Sequence, residues 1–445
     1  MVAFAGRCPQ STLGDTSVTC TLGETGGRAA DDLGLGLGTT ALACQNQRAR
    51  CRRQYPWGRL LRLSWVSNAA AGGDGANRGG SRILPSELSR RCHKFVQGHG
   101  LREPRELLAD LPASCAADRY GEGGVVGQLE EDVSRLLGKP AAVFMPSGTM
   151  AQQIALRVHA DRSGRRGVAF HQACHLLHHE EFGFRHLHGL REVKIGDANR
   201  LLRLDDLVAL GPTEEVGALL LELPQRDLGG QLPAYGDLLE QVALARTMGW
   251  AVHLDGARIW EASAGYERSP AELAGLFDTT YVSFYKGLGA IAGCCLAGPE
   301  DVIAEAKLWR TRHGGRLVAL WPYGASARSA LRVRLPRMAA YRDRALAIAA
   351  ALRLTPAVVV LPQPPQTSMM HLLLPVDLTI FEERVAWLAT ERGIWTWGGP
   401  FPSALGSAAQ GVRVELTVGD ATMAMDVEEV VGAIGYLATG DSSSF

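Results

Sequence analysis

The sequence has no excess of either charge, no long hydrophobic run and no C-x-x-C motif. Its 46 basic and 46 acidic residues cancel, so neither a nucleic acid nor a membrane is an expected partner. No stretch reaches the roughly 20 apolar residues of a membrane span. The nine cysteines are odd in number and scattered along the chain, which argues against a disulfide scaffold. These absences together predict a soluble, cytoplasmic protein.

The first 80 residues differ in composition from the rest of the chain. They contain nine arginines, five acidic residues and no lysine, and their apolar residues follow neither a helical nor a strand period. We therefore predict a disordered N-terminal extension over residues 1–80. The arginines between residues 43 and 62 favour a plain spacer, with organelle targeting as the alternative.

Residues 81–440 are periodic and predict two domains. Over residues 81–322, short apolar strands alternate with amphipathic helices, which is typical of an α/β domain with a mainly parallel sheet covered on both faces. A long helix predicted over 323–353, followed by shorter strands and helices, indicates a smaller α+β domain over 323–440. Sheets of this class bind ligands at the carboxyl ends of their strands, so functional residues are expected just after the strands.

A short turn, Pro146-Ser147-Gly148-Thr149, separates a predicted strand over 141–145 from a predicted helix. Backbone N–H groups at a helix N-terminus, a glycine that allows close approach and two hydroxyls form an anion site that suits a phosphate. A plain serine cap of the helix is the alternative interpretation.

An aspartate ends another predicted strand, in the segment His253-Leu-Asp255-Gly-Ala-Arg258. A carboxylate buried at a strand end needs a cationic or protonated partner, and a pyridinium nitrogen would be one. Arg258 lies in the same turn, so an ion pair between Arg258 and Asp255 is the alternative.

One of the chain's five lysines, Lys286, follows a strand predicted over 280–284 and precedes two glycines in Lys286-Gly-Leu-Gly-Ala290. An amine that leaves the sheet among small and apolar residues, and near other cations, loses its proton more readily and suits Schiff-base chemistry. A solvated surface amine is the alternative.

Histidines cluster between residues 171 and 179, and Glu180 and Glu181 follow them. His175 and His179 have helical spacing, but the H-E-x-x-H order of a zinc site is absent. A ring stacked on a planar cofactor, or a general base, fits the other three features better, and no metal is expected.

Residues from about 118 to 440 resemble the threonine aldolase and β-eliminating lyase family of pyridoxal-phosphate enzymes. The resemblance implies the aspartate-aminotransferase-like fold, known as fold type I. It rests on five segments in family order: Tyr120-Gly-Glu122, Pro146-Ser-Gly-Thr-Met150, His175 with Glu180, His253-Leu-Asp-Gly-Ala-Arg-Ile259 and Lys286-Gly-Leu-Gly-Ala290.

The resemblance implies a role for each matching residue. Lys286 would form the Schiff base with pyridoxal 5′-phosphate, and Asp255 would pair with its pyridinium nitrogen. The phosphate would lie on Ser147, Gly148 and Thr149, with Arg258 in the cofactor site. The ring would be covered by His175, with Glu180 beside it as a catalytic residue, and the substrate would be held by Arg258, Arg413 and Tyr120. Family enzymes are homo-oligomers, usually tetramers built from dimers.

The sequence departs from the family pattern at two places. The N-terminal substrate-binding segment of the family has no match, since the corresponding residues read Phe95-Val-Gln-Gly-His-Gly100. A second family histidine is also missing, because the chain has Glu222-Leu-Pro-Gln-Arg226 there, and Gln225 or Arg226 would then face the substituent on the β-carbon.

These features predict an aldehyde-lyase that cleaves L-threonine, L-allo-threonine or a related β-hydroxy amino acid to glycine and an aldehyde. A pyridoxal-phosphate β-eliminating lyase acting on another amino acid is one alternative. A homologue that binds the cofactor without this catalysis is another.

Overall fold

The fold is built on apolar strands that assemble into three sheets. The computed structural model describes residues 85–355, 357–401 and 411–442, and the predicted extension over residues 1–80 lies outside them. The strands are β1 (Lys94–Phe95), β2 (Ala141–Met145), β3 (Gly167–His171), β4 (Arg191–Ile195), β5 (Val216–Glu222), β6 (Ala251–Gly256), β7 (Thr279–Ser283), β8 (Cys294–Gly298), β9 (Val359–Leu361), β10 (Met369–Leu374), β11 (Ile394–Trp395) and β12 (Val412–Thr417).

The largest sheet has seven strands in the order β2-β8-β7-β6-β5-β3-β4. Strands β7, β6, β5, β3 and β4 pair in parallel, whereas β8 is antiparallel to both of its neighbours. The predicted α/β class with a mainly parallel sheet is therefore confirmed. Strand β8, which contains Cys294 and Cys295, was missed in the sequence because its apolar run is too short to distinguish from a buried loop.

Helices cover both faces of this sheet. The helices of the described residues, those of the C-terminal part included, are α1 (Pro85–Arg91), α2 (Pro104–Ala109), α3 (Gly124–Leu137), α4 (Gly148–Ser163), α5 (His175–His178), α6 (Gly183–His188), α7 (Leu204–Leu210), α8 (Tyr235–Thr247), α9 (Ile259–Tyr266), α10 (Pro270–Ala274), α11 (Glu300–Arg312), α12 (Trp321–Arg334), α13 (Met338–Leu352), α14 (Leu378–Trp387), α15 (Asp420–Met423) and α16 (Val427–Thr439). None of these helices has the length and apolar character needed to cross a bilayer.

Strand β2 shows why a buried strand of this sheet consists of consecutive apolar residues. Ala142 and Phe144 point into one hydrophobic core, which also contains residues of α3. Val143 and Met145 point into a second core on the other face, against α4 and α11. Because successive side chains alternate between faces and both faces are buried, apolar residues are favoured at every position.

The predicted continuous helix over 323–353 is wrong at one point. Helix α12 ends at Arg334, a 3₁₀ turn spans Leu335–Arg337, and α13 begins at Met338. Pro336 lies within that turn, and proline removes a backbone donor and clashes with the carbonyl four residues earlier. The α-helical hydrogen-bond pattern is therefore interrupted where the sequence pattern alone suggested continuity.

The C-terminal strands divide between two small sheets. Strands β9, β10 and β12 form an antiparallel sheet in the order β12-β10-β9. Strand β11, which has only two residues, pairs in parallel with β1 instead. The division of the chain into domains over 81–322 and 323–440 stays a prediction.

Candidate active site

The turn between β2 and α4 is shaped as an anion site. Ser147 has extended backbone angles and caps α4, with its Oγ accepting from the Met150 N–H at 3.3 Å. The N–H groups of Gly148 and Thr149 begin the helix, where intrahelical acceptors are missing. The buried Cys294 thiol donates to the Ser147 carbonyl oxygen at 3.1 Å, and this contact holds the turn in place.

Gly148 is required at this turn because no side chain fits there. A β-carbon on Gly148 would lie 2.1 Å from the hydroxyl oxygen of Tyr281, whose side chain is almost fully buried. We expect Gly148→Ala to destabilise the protein by about 1–3 kcal/mol through overpacking and to weaken cofactor binding by displacing the turn. Thermal unfolding and a cofactor titration measure the two effects.

Gly127→Ala is the matched control for this prediction. Gly127 lies in α3 and nothing lies within 4 Å of the position that its β-carbon would take. Alanine favours a helix over glycine by up to about 1 kcal/mol, so Tm should not fall in this variant. Equal losses of Tm in the two variants would contradict the steric explanation.

Two carboxylates lie side by side at the carboxyl end of the parallel strands. Glu222 at the end of β5 is paired in register with Asp255 near the end of β6. The Oδ1 atom of Asp255 accepts from the Ala257 N–H at 3.0 Å, and only 3% of Asp255 is exposed. Burial, together with the carboxylates of Asp255 and Asp227, raises the pKa of Glu222 to about 8. Glu222 is therefore mostly protonated at neutral pH.

This raised pKa predicts a pH-dependent stability. Folded Glu222 keeps its proton between the ordinary glutamate pKa of 4.5 and about 8. Its contribution to the free energy of unfolding is therefore fully present below pH 4.5 and is lost as the pH rises through about 8. Glutamine mimics the protonated form. In cofactor-free protein, the Tm of Glu222→Gln minus that of the wild type should increase from pH 5 to pH 9. A difference in Tm that does not change with pH would contradict the prediction.

Lys286 lies in a cleft of about 410 Å³ beyond the end of β7. Burial, and after it the positive charge of Arg258, lower the pKa of its amine. A larger fraction of the amine is then neutral and nucleophilic. The alternative of a solvated surface lysine does not fit this position.

Arg258 is not the ion-pair partner that the sequence offered for Asp255. Its Nη2 atom lies 3.5 Å from Oε1 of Glu415 on β12, while its Nε atom is buried without a hydrogen-bond partner among the described residues. Glu415 also accepts from Arg226 Nε at 2.7 Å. Burial would raise the pKa of Glu415, but contact with His371 and the charges of Arg258 and Arg226 outweigh burial and hold the pKa well below its usual range.

Arg413 lies on the same face of β12 as Glu415. Residues alternate along this strand between buried and half-buried positions, so Arg413, Glu415 and Thr417 share one face. Thr417 lines the Lys286 cleft. The strand therefore presents Arg413 toward the side on which Lys286 and Arg258 are found.

The histidine-rich segment forms a carboxylate-linked network. His175 begins α5, and its Nδ1 atom lies 3.1 Å from Oε1 of Glu180. The buried Glu180 accepts a second hydrogen bond at Oε2, from Gln153 Nε2 at 3.2 Å. Because both carboxylate oxygens have partners, the orientation of the His175 ring is fixed. Among the described residues, no group of three or more histidine, cysteine or acidic residues could hold a metal ion.

Tyr120 is the predicted site residue that the structure places apart. It lies on an exposed turn, where its N–H donates to the Val318 carbonyl at 3.0 Å and Arg316 stacks on its ring. The contacts described for Tyr120 do not involve Lys286 or Asp255. Its role as a substrate-binding residue stays a prediction.

The segment Gly98-His99-Gly100 lines the Lys286 cleft, although no sequence motif assigned it a role. His99 Nε2 lies 2.9 Å from the Gly287 carbonyl oxygen, and the Asp420 N–H donates to its Nδ1 at 3.2 Å. Burial, and after it Arg334, lower the pKa of His99, which matches a neutral ring with its proton on Nε2. In the sequence, this role is indicated only by a histidine that lies between two glycines. In the structure, these glycines have φ of 64° and 74°.

The residues at this edge of the sheet fit pyridoxal 5′-phosphate. A phosphate suits the helix N-terminus, where a side chain in place of Gly148 would clash. The buried Nε atom of Arg258 has no partner among the described residues, and a depressed amine pKa at Lys286 suits a Schiff base. Asp255 supplies the carboxylate that a protonated ring nitrogen requires.

Comparisons with known proteins agree with this site. Residues 108–374 match the family described as "Beta-eliminating lyase". The chain belongs to the β-eliminating lyase family. This membership confirms the expected lyase class, fold type I and the cofactor pyridoxal 5′-phosphate.

Individual members of the family are similar over much of their length. The chain is 35% identical to the solved structure of a candidate L-allo-threonine aldolase from Listeria monocytogenes EGD-E, with a TM-score of 0.74 and coverage of 81% of this chain and 99% of that one. It is 31% identical to the low-specificity L-threonine aldolase of Escherichia coli O157:H7, over 57% of this chain and 76% of the relative. It is 32% identical to Aldolase vrtJ of Penicillium aethiopicum, over 52% of this chain but only 60% of the relative.

Proposed function

We propose that this β-eliminating lyase family member cleaves the Cα–Cβ bond of β-hydroxy amino acids, with L-threonine or L-allo-threonine as substrate and glycine and an aldehyde as products. The observation that carries the proposal is the convergence of Lys286, Arg258 and the Asp255 strand end at one edge of the sheet. The relatives named as threonine aldolases support the same reaction.

In this proposal, each group near the cleft has one task. Ser147, Gly148 and Thr149 hold the phosphate, and His175 covers one face of the ring, where Glu180 fixes its orientation. The bound pyridoxal phosphate supplies an electron sink for the pair that the broken bond leaves at Cα. Asp255 keeps the ring nitrogen protonated, since a nearby anion favours the charged form of that nitrogen.

Two arginines orient the substrate. Arg258 and Arg413 hold the substrate carboxylate, because a planar guanidinium binds a carboxylate through two parallel hydrogen bonds. Fixing the carboxylate sets which bond at Cα is aligned for cleavage. After the aldehyde has left, the Lys286 amine delivers the proton that completes glycine.

The test of this function uses two substrates. The purified protein with cofactor is incubated with L-threonine, and glycine and acetaldehyde are measured directly. L-Serine is the control substrate, because a β-eliminating enzyme would release pyruvate from it. Glycine with little pyruvate is expected, whereas pyruvate without glycine would identify an eliminating lyase instead. A panel of β-hydroxy amino acids then gives the preferred β-substituent.

The assembly of the enzyme is part of the proposal. We propose a homo-oligomer, a dimer or a tetramer built from dimers, which the resemblance to the family supports. Light scattering of the purified protein measures this directly. The cytoplasmic location stays a prediction.

A further inference from the structure

A β-hydroxy amino acid can be cleaved only if some group accepts the proton of its β-hydroxyl. The family has a histidine just after the strand that corresponds to β5, but this chain has the amide side chain of Gln225 there. Gln225 is buried, and its Nε2 atom donates to the Ala173 carbonyl and to Glu222 Oε2, both at 3.1 Å. An amide has no basic nitrogen. Gln225 therefore fixes the turn and cannot take up a proton.

A different imidazole lies beside this turn. His179 follows the last residue of α5, and its ring centroid is 4.9 Å from that of His175. Its Nε2 atom lies 3.5 Å from Oδ1 of Asp227, which belongs to the 3₁₀ turn that follows β5. The side chain of His179 is 19% exposed and that of Asp227 only 5%.

Each side chain of this pair has a buried polar atom that makes no hydrogen bond within the described residues, His179 Nε2 and Asp227 Oδ2. A buried carboxylate without a nearby donor is unfavourable by several kcal/mol. A proton on His179 Nε2, the nitrogen that faces Asp227 Oδ1, is therefore favoured. The His179 ring lies next to that of His175, which the proposed function places against the cofactor ring.

We propose that His179, oriented by Asp227, accepts the proton of the substrate's β-hydroxyl. This inference rests on the proposed function. With its proton on Nε2 facing Asp227, the neutral ring has its lone pair on Nδ1, and the nearby carboxylate stabilises the imidazolium that forms. Asp227 acts as a positioning residue.

The step balances as a proton transfer coupled to bond cleavage. The hydroxyl proton moves to the imidazole nitrogen of His179, and the electron pair of the O–H bond becomes the second C–O bond of the aldehyde. The Cα–Cβ bond breaks in the same event, and its electron pair stays at Cα. The protonated Lys286 amine supplies the proton that completes glycine at Cα, and the proton on His179 passes through water to replace it.

His175 is the rival acceptor, but the proposed function already assigns its ring to the face of the cofactor. Its Nδ1 atom lies 3.1 Å from Glu180, which also accepts from Gln153, and this network holds the ring in that position. The charged or titratable groups around His179 are His175 and His178 on its own segment and Asp227 from the β5 turn. Through Asp227, Glu222 and Arg226 also act on the pair.

The test replaces the imidazole and keeps its hydrogen-bond donor. In His179→Gln, the amide N–H₂ can still donate to Asp227, but the basic nitrogen is gone. In the cofactor-loaded enzyme, the rate of glycine formation from L-threonine should fall about 10²- to 10³-fold, the usual contribution of general-base catalysis. The cofactor absorbance, the glycine-binding titration and Tm should match those of the wild type.

Two further variants complete the experiment. His178→Gln is the matched control, because His178 is exposed on the same segment and bonds the Gln172 carbonyl through Nε2, and its activity should equal that of the wild type. Asp227→Asn keeps the shape and removes the charge. It should lower kcat about tenfold, leave KM unchanged and shift the acidic limb of the kcat–pH profile, which should vanish in His179→Gln.

Three outcomes would overturn the inference. The first is a His179→Gln enzyme that keeps wild-type kcat and its acidic limb. The second is a fall in kcat that is matched by lost cofactor binding or lowered Tm in both His179→Gln and Asp227→Asn, which would assign the pair a structural role. The third is a wild-type enzyme that forms no glycine from any β-hydroxy amino acid, a result that removes the proposed function and this inference with it.

Discussion

Replacing Lys286 by alanine should abolish the covalently held cofactor and lower the rate of glycine formation by about 10³-fold or more. Lys286 provides the amine in the cleft, and burial together with Arg258 lowers its pKa. The wild-type protein should be yellow, and borohydride should fix the cofactor to it. In Lys286→Ala, without any amino acid present, borohydride should fix none, and mass spectrometry of the reduced proteins measures this difference.

Lys307→Ala is the control for the lysine prediction. Lys307 is exposed on α11, at a distance in sequence from the strand ends that form the site. This variant should keep the colour, the reducible adduct and the rate. A reducible adduct of unchanged yield in Lys286→Ala would mean that another amine carries the cofactor.

Replacing Asp255 by asparagine should have the second-largest effect. The exchange keeps the shape of a buried side chain and its hydrogen bond to Ala257 N–H, but it removes the charge that keeps the ring nitrogen protonated. We expect the rate to fall about 10²- to 10⁴-fold while Tm changes little. The absorbance of the bound cofactor should also change, because its ring would lose the proton at neutral pH.

Glu222→Gln is matched to Asp255→Asn in chemistry and position. The two residues are paired in register on neighbouring strands, but the pKa of Glu222 is raised to about 8, so glutamine resembles its state at neutral pH. Glu222→Gln should therefore retain most of the activity at pH 7. If both variants lost activity equally, the distinct role of Asp255 would be refuted.

Local patterns predicted the parts of the site that lie within one strand and its following turn. The turn at Ser147, the carboxylate of Asp255 and the amine of Lys286 each lie at or just after the end of a strand that the sequence predicts within one or two residues. The reason is that a buried strand must be apolar on both faces, so the first polar residues after it mark the edge at which ligands bind.

Contacts between distant segments could not be predicted in this way. Arg258 and Arg226 share Glu415, which is more than 150 residues away from either. From the sequence, Asp255 in the same turn was the only carboxylate that we considered as a partner for Arg258. Which carboxylate a guanidinium meets depends on how β12 packs against the turn after β5, and no local propensity encodes that packing.

The sequence by itself determined the family, the cofactor chemistry and the order of the strand-end residues that serve them, because each motif is local and its chemistry follows from its own residue types. Only the tertiary structure decided that His99 enters the Lys286 cleft and that His179 meets Asp227. Those pairs arise because sheet order and helix packing bring together segments that are far apart in the chain. Burial then removes competing water and gives each of these contacts its strength.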